Sequence, residues 1–306
     1  MDKILLRRTA RIIAGHTWIF SNELAASPKH HEPGSLVEVY DMKKAYIGIG
    51  YINPNSLIAV RLLTRERETI DADFFRKRIY NALRYRSMIG INGDSFRAVF
   101  SEGDSLPGLI ADKYGDCLVL QFLTLGIEKM KNIIIPIFDE IFSPAAIVLR
   151  NDSHSRTLEG LPLVKEVVKG SLPPLPLIHE GDIVFEVDPL AGQKTGFFLD
   201  QRENRREVET LALGRRVLNA FSFSGGFSVY AARGGAAAVT DLDISAHALA
   251  AAQRNFALNQ NVPGVAACHH DIAQGDAFEW LAACAAKFDL VVLDPPSLAK
   301  RATERE

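Results

Sequence analysis

The sequence predicts an α/β protein in three parts: a small β-barrel over residues 1–72, a small α+β domain over 73–178, and a doubly wound sheet over 179–306. Three observations carry this. Short apolar stretches parted by turn residues fill the front of the chain. Pro173, Pro174 and Pro176 then exclude a regular helix between residues 170 and 176 and mark a linker. Beyond about residue 180, apolar runs alternate with helical patterns, as a parallel sheet with crossover helices requires.

In the first part, strands are expected over residues 35–40, 45–51 and 57–63, divided by Asp41-Met42-Lys43-Lys44 and by Asn53-Pro54-Asn55. From 71 to 89 the pattern becomes helical and basic. Phe74, Phe75, Ile79, Leu83 and Tyr85 recur amid Arg76, Lys77, Arg78, Arg84 and Arg86, which reads as a connecting helix with a charged outer face. Strands at 96–100, 108–112 and 117–124, a helix over 127–142 and a strand at 146–149 fill the central part. The third part should hold strands over 216–221, 237–242, near 265–268 and at 290–293. Helices over 227–234, 246–258 and 277–286 lie between them. Leu290-Val291-Val292-Leu293 is apolar without alternation, the pattern of a strand covered on both faces.

With 47% hydrophobic and 24% charged residues, a 306-residue chain is globular and can build two or three cores. The net charge of -2 conceals an asymmetry: residues 1–90 carry 15 Lys/Arg against 9 Asp/Glu, leaving 20 against 28 in the remainder. A basic front favours a phosphate-bearing partner through counterion release, a solvated surface being the plain alternative. Cys117, Cys268 and Cys284 lack the spacing of a metal site or a disulfide framework. The N-terminal Met-Asp-Lys-Ile-Leu-Leu-Arg-Arg is too short in apolar length for a signal peptide, and no run approaches the roughly 18 apolar residues of a membrane span. A cytoplasmic protein without a membrane partner is expected.

Ligands of open parallel sheets lie beyond the C-terminal strand ends, so the residues there are the candidates. After the first strand stands Phe221-Ser222-Phe223-Ser224-Gly225-Gly226-Phe227, whose glycines allow a tight turn and close backbone approach, although a bare strand-to-helix turn needs them too. After the second stands Asp243, placed to accept ribose hydroxyls; Asp241 could be that acid instead, and either could cap the next helix, as Ser245 could. After the third, Asp271 or Asp276 could accept from an adenine amino group, or form a surface turn. The fourth ends in Asp294-Pro295-Pro296, a rigid turn at the edge of the sheet. The first turn lacks G-x-G-x-x-G, so adenosine without a pyrophosphate fits better than a dinucleotide.

These residues, with Gly15-His16-Thr17-Trp18-Ile19-Phe20-Ser21-Asn22-Glu23, Phe100-Ser101-Glu102-Gly103-Asp104-Ser105-Leu106-Pro107-Gly108-Leu109-Ile110 and Gly192-Gln193-Lys194-Thr195-Gly196-Phe197-Phe198-Leu199-Asp200-Gln201-Arg202, run nearly end to end. In them the chain resembles the bacterial large-subunit ribosomal RNA (cytosine carbon-5) methyltransferases that carry an N-terminal PUA domain. The resemblance implies a PUA domain binding ribosomal RNA, a linking middle domain and a Rossmann-like domain holding S-adenosylmethionine. Within the last, it implies Asp243 at the ribose, Asp276 at the adenine, and Phe221, Ser222 and Gly225 along the methionine part. It places Asp200 and Arg202 in a cofactor-proximal segment and Asp294, Pro295 and Pro296 at the catalytic edge. Arg202 is equally readable as an ion-pair partner in a helix over 201–211 with Glu203, Arg205 and Glu207, and Trp18 as barrel core rather than a base-stacking ring.

One departure from the family pattern shapes the functional expectation. Carbon 5 of cytosine is a poor nucleophile, and its methylation ordinarily needs a cysteine thiolate added at carbon 6. In the family that cysteine follows a later strand, whereas here the sequence given ends at Glu306 with no cysteine beyond Cys284. Cys268 and Cys284 read as small buried residues. The expectation is therefore an incomplete methyltransferase domain that holds cofactor without methylating cytosine. Residues 290–293 would then form an exposed apolar edge able to pair with another chain, a homodimer included. Three rivals are an RNA-binding protein with an inert methyltransferase-like half, a methylase of exocyclic amines, and a nicotinamide oxidoreductase. The second usually has an aromatic residue where Ser297 stands.

Overall fold

Alternating apolar residues bounded by turns produce the expected strands of the first part, and a computed structural model describes residues 1–91 and 93–296. Two compact units result: residues 1–176 with 188–197, and residues 177–187 with 198 onward.

The first unit begins with β1 (Asp2–Leu6), a short α1 (Ala10–Ile13), β2 (Trp18–Ile19), β3 (Leu36–Asp41), β4 (Tyr46–Ile52) and β5 (Val60–Thr64). They form one sheet in the order β1-β3-β4-β5-β2, parallel between β1 and β3 and antiparallel elsewhere. Ile4, Leu6, Ile19, Val37, Val39, Ile52 and Leu62 close its core. The strands expected from sequence are present, whereas β1, which begins at Asp2, and β2, only two residues long, carry too short a pattern to announce them.

The basic helix is α2 (Ala72–Met88), started by the Asp71 carboxylate, which accepts from the backbone N–H of Asp73 and Phe74 at 3.1 Å each. Its Phe74, Phe75, Ile79 and Ala82 are buried with residues of β6 (Ser95–Phe100), β7 (Leu109–Tyr114) and β8 (Cys117–Phe122). There follow α3 (Leu125–Lys129), α4 (Lys131–Phe142), β9 (Ala146–Asn151), α5 (Ser155–Leu158) and β10 (Val164–Gly170), and the sheet order is β10-β9-β8-β7-β6. β10 was not legible, because its largely exposed Val-Lys-Glu-Val-Val-Lys-Gly has no buried face to impose a pattern. Tyr51 and Leu63 of the β-domain join this second core. The Tyr51 hydroxyl donates to the Pro107 carbonyl at 3.0 Å, and a Cβ on Gly126 would stand 2.0 Å from its ring, so only glycine fits beneath it.

Residues 188–197 pack within the first unit. Arg150 donates to the carbonyls of Pro189 and Gly192 at 2.9 and 3.0 Å, and the Thr195 hydroxyl donates to Asp112 at 2.6 Å.

The second unit opens with the hairpin β11 (Leu177–Glu180) and β12 (Ile183–Glu186), then α6 (Arg202–Leu211). β13 (Arg216–Ala220), α7 (Gly226–Arg233), β14 (Ala238–Asp243), α8 (Ala246–Leu258), α9 (Pro263–Ala267), β15 (His269–Gln274), α10 (Ala277–Ala283) and β16 (Leu290–Leu293) complete the described elements. Its sheet runs β15-β14-β13-β16, parallel throughout. Asn255 of α8 and Asn259, which caps its C-terminus, act as a surrogate strand: their amide oxygens accept from the backbone N–H of Glu186 and Val184 at 2.8 Å each.

Two expectations change here. Residues 265–268 are not a strand: Pro263 starts α9 there, in the first-turn position where its missing N–H costs nothing, and the strand follows at His269–Gln274. Its polar sequence suits an edge, and four of its six residues are exposed. β16 is likewise an edge among the described residues; Val291 and Leu293 are 50% and 59% exposed, so only one face is covered. Ser297 lies outside the described residues.

Candidate functional site

The second unit's parallel sheet delivers three strand ends to one place. Beyond β13 the turn 221–227 carries left-handed backbone at Phe221 (φ 59°), Phe223 (φ 49°) and Gly225 (φ 73°). Two non-glycine residues held there are strained, and the surroundings show what holds them. The Phe223 N–H donates to Asp243 Oδ2 at 2.9 Å, the Ser222 N–H to the Leu242 carbonyl at 3.0 Å, and the Asn255 amide to the Ser224 carbonyl at 2.9 Å. A Cβ on Gly225 would lie 2.8 Å from Ala252 Cβ and 3.1 Å from Asp241 Oδ2.

The two acids of β14 separate cleanly. Asp241 is wholly buried: its Oδ1 accepts from Asn219 at 2.9 Å and from Ser228 at 2.6 Å, and its Oδ2 lies 2.8 Å from His270 Nε2. The His270 ring stacks on Phe256 with centroids 4.1 Å apart. Asp241 is thus committed beneath the turn. Asp243 is half-buried at the strand end, each oxygen accepting one N–H, from Phe223 and from Ser245 at 2.9 Å. A carboxylate has about four acceptor positions, so Asp243 retains capacity for ribose hydroxyls. The cap of α8 is Ser245, whose hydroxyl accepts from Ala248 at 3.2 Å.

Asp276 caps α10, accepting from Phe278 and Glu279 N–H at 2.9 and 3.1 Å. The Gly275 N–H donates to the Asp243 carbonyl at 3.1 Å, and Phe221 meets Phe278 edge-on at 6.0 Å, so Phe221, Asp243 and Asp276 gather together. Asp271 does not join them. It lies within β15, exposed and 3.1 Å from His269, because the strand begins later than its apolar neighbours suggest.

Asp294 follows β16 and accepts from the Gln201 amide at 3.0 Å, which links the Asp-Pro-Pro turn to the segment bearing Asp200 and Arg202. Pro295 and Pro296 are exposed coil. Arg202 pairs with Glu180 of β11 at 3.3 Å rather than with Glu203 or Glu207. Glu180 also binds Arg205 and accepts from the Tyr230 hydroxyl at 3.0 Å, and burial pushes that phenol up to about 12. Sequence reasoning missed Glu180 and His270, which lie in segments without a periodic signal.

An adenosine-bearing group fits this set on one direct observation: the Ser222 hydroxyl, at the methionine side of the expected site, is buried and has no hydrogen-bond partner among the described residues. Such a group costs free energy unless something accepts from or donates to it.

In the first unit, two of the quoted motifs meet. Trp18 donates to Glu102 at 2.6 Å and carries the Arg61 guanidinium over its ring at 5.0 Å, while Arg61 also pairs with Glu102 at 2.8 Å. Trp18 is 39% exposed, and so is a strut rather than barrel core. Burial pushes the Glu102 carboxyl up, but hydrogen bonds from Ser101 and Trp18 and the charge of Arg61 outweigh it and hold the group below its ordinary value.

A parallel sheet with an acid at the end of its second strand and a tight turn at the end of its first is the frame of doubly wound α/β domains, which hold their ligands at those strand ends. Comparison with known proteins takes the class further. Residues 4–65 match the PUA-like domain family and residues 165–303 the S-adenosylmethionine-dependent methyltransferase family. The chain is 42% identical over 306 residues to a ribosomal RNA large subunit methyltransferase of Deinococcus radiodurans, covering 95% of this chain and 74% of that protein. It is 38% identical over 294 residues to ribosomal RNA large subunit methyltransferase I of Shewanella denitrificans, covering 93% and 72%. The chain therefore belongs to the ribosomal RNA large subunit methyltransferase family, whose cofactor is S-adenosylmethionine.

Solved structures agree on the fold. A SAM-dependent methyltransferase from Streptococcus mutans superposes with a TM-score of 0.80 at 23% identity over 97% of this chain and 77% of that one. A methyltransferase complexed with SAH superposes at 0.82, with 22% identity over 99% and 78%. Among the described residues no helix is long and apolar enough to cross a membrane.

Proposed function

We propose that this chain binds S-adenosylmethionine at the β13, β14 and β15 ends and acts on large-subunit ribosomal RNA, with carbon 5 of a cytosine as the target. The single observation that carries the cofactor half is the convergence of the Phe221–Gly225 turn on Asp243, with the Ser222 hydroxyl left for a ligand. Asp243 would take the ribose hydroxyls and Asp276 the adenine amine, each as an acceptor already oriented by backbone N–H groups. Phe221, Ser222 and Gly225 would border the methionine part, and Asp200 and Arg202 would support it from the start of α6. When bound, the cofactor supplies an electrophilic methyl on its sulfonium. Asp294, Pro295 and Pro296 would hold the reacting edge rigid, since neither proline can extend a strand or helix there.

The RNA half is supported by the PUA-like match and by a cation-aromatic surface on the first sheet. Arg67 stands 4.0 Å over Tyr46, and Lys3 stands 5.6 Å over Tyr40. Rings and guanidinium planes of this kind stack unpaired bases.

One observation favours a second reading, in which cofactor and RNA are bound without methylation of cytosine. Cys268 is buried, which pushes its thiol up to about 11, and Cys117 is buried within β8 and pushed up to about 12, so neither offers the thiolate that carbon-6 addition needs; Cys284, expected to be buried, is only partly so and lies just after α10.

Calorimetric titration with S-adenosylhomocysteine, alongside Asp243→Ala, tests the site: one-to-one binding lost in the variant is expected, and no binding by a folded wild-type chain would overturn the proposal. Incubation of the chain with labelled cofactor and large-subunit ribosomal RNA then separates the two readings, because 5-methylcytosine in the digest is produced only under the first.

A further inference from the structure

The first unit contains a cleft of about 470 Å³ that the cofactor chemistry does not use. It is lined by α2, by residues at and beyond the end of β5, and by the turn Gly103-Asp104-Ser105. Much of its charge is already satisfied. Arg86 grips Asp104 through two nitrogens at 2.5 and 2.6 Å, and the Thr64 hydroxyl donates to Glu68 at 2.5 Å. Arg78 lies 4.4 Å over the Phe74 ring and donates to the Ser105 carbonyl at 3.2 Å. Ser105 itself is held left-handed at φ 58°, a conformation that costs free energy and persists only where neighbours fix it.

Against this fixed frame stand four groups of another kind. Lys77, Asn81 and Tyr85 follow one another at four-residue spacing on one face of α2, all exposed, and all line the cleft with Glu66. Among the described residues their side chains make no hydrogen bond or ion pair, nor does the Glu66 carboxylate. A cation, an amide, an aromatic ring and a carboxylate are the groups that bind a phosphate, read a base edge, stack a base and accept its N–H. The volume lies within the range of small-molecule sites. A bare polyanion is disfavoured by the carboxylates of Glu66, Glu68 and Asp104 in the same lining.

We propose that this cleft takes one unpaired nucleotide of an RNA strand, its base on the Tyr85 ring, its edge on Asn81 and Glu66, and a phosphate on Lys77. The inference rests on the reading of the chain as a protein acting on ribosomal RNA, and adds a grip on that RNA apart from the cofactor site and from the Tyr40 and Tyr46 surface of the first sheet.

The test is filter binding of the full chain to labelled, protein-free large-subunit ribosomal RNA. Tyr85→Ala and Asn81→Ala should each weaken binding, the former roughly 5- to 150-fold, the span of one base-aromatic stack. Tyr85→Phe should restore it, and Lys77→Ala should lower the slope of log affinity against log salt by about one. Tyr80→Ala, on the same helix but outside the cleft lining, is the control and should bind as wild type. A single-stranded oligoribonucleotide should compete where a duplex of the same sequence does not. Equal competition by free nucleoside monophosphates would overturn the proposal in favour of a mononucleotide site. If wild type binds and the cleft variants bind equally, or if Tyr80→Ala weakens binding as much, the cleft assignment alone falls. If wild type binds no RNA, the ribosomal RNA reading falls with it.

Discussion

Replacing Asp241 by alanine should strongly destabilise the second unit while leaving the first intact. Asp241 accepts from Asn219 and Ser228 and pairs with His270, and the first two residues are essentially inaccessible to water. Each buried donor left without an acceptor costs about 1–3 kcal/mol. Three would sum higher, but relaxation and water entry reduce the total. We expect about 4 kcal/mol, a large share of the roughly 5–15 kcal/mol that a domain possesses. Asp241→Asn keeps one oxygen for Asn219 and Ser228, and its amide can donate to His270 in the alternative tautomer, so about 1–2 kcal/mol is expected. The two tryptophans lie in different units, and Trp280 packs against the second unit's core. Urea titration followed by Trp280 fluorescence in a Trp18→Phe background therefore reads the second unit alone. A loss below about 1 kcal/mol for Asp241→Ala, or equal losses for the alanine and asparagine variants, would refute the claim that hydrogen-bond acceptance is what this carboxylate supplies.

Other outcomes follow from the same structure. Gly225→Ala should weaken S-adenosylhomocysteine binding and cost about 1–3 kcal/mol, because both the positive φ and the contact with Ala252 oppose a Cβ; a calorimetric affinity equal to wild type would contradict this. Native-state alkylation should modify Cys284 first, with Cys117 and Cys268 reacting only after denaturation or at strongly alkaline pH, which peptide mapping after timed quenching will show. Glu102, Glu128 and Asp152 all sit below their ordinary carboxyl values: burial pushes each upward, but hydrogen bonds and nearby cations outweigh it. Depressed carboxyls contribute stability above the unfolded range near pH 4, and it is lost as pH falls through their folded values. Acid titration of first-unit stability should show that loss, and Glu128→Gln should flatten it.

The sheet strands with strong apolar runs and the helix α2 with its Asp71 cap were legible because local chemistry and tertiary burial agree there. The hairpin of β11 and β12 was not: its order comes from Asn255 and Asn259, about 70 residues downstream, and no local pattern announces a partner of that kind. Asp241 and Asp243 could not be told apart in sequence for a related reason. Residues two apart on a strand point to the same side, and only the depth at which β14 ends decides which is sealed and which reaches the rim. Arg202 drew its partner from that same hairpin, so its pairing with Glu180 lay beyond any reading of α6 alone. β15 was displaced because its six residues, largely exposed at a sheet edge, carry less apolar character than the short helix before them.

The close fit of Tyr51 over Gly126 bears on how this architecture can be taken apart, in the laboratory or by evolution. A β-domain that merely adjoined its neighbour could be exchanged between proteins as a cassette. Here a ring from β4 fills a slot that only a missing side chain on α3 leaves open, so the two parts behave as a lock and its own key. Deleting residues 1–72 would strip a core rather than remove an accessory, and any lineage that trades this β-domain must trade the complementary surface with it.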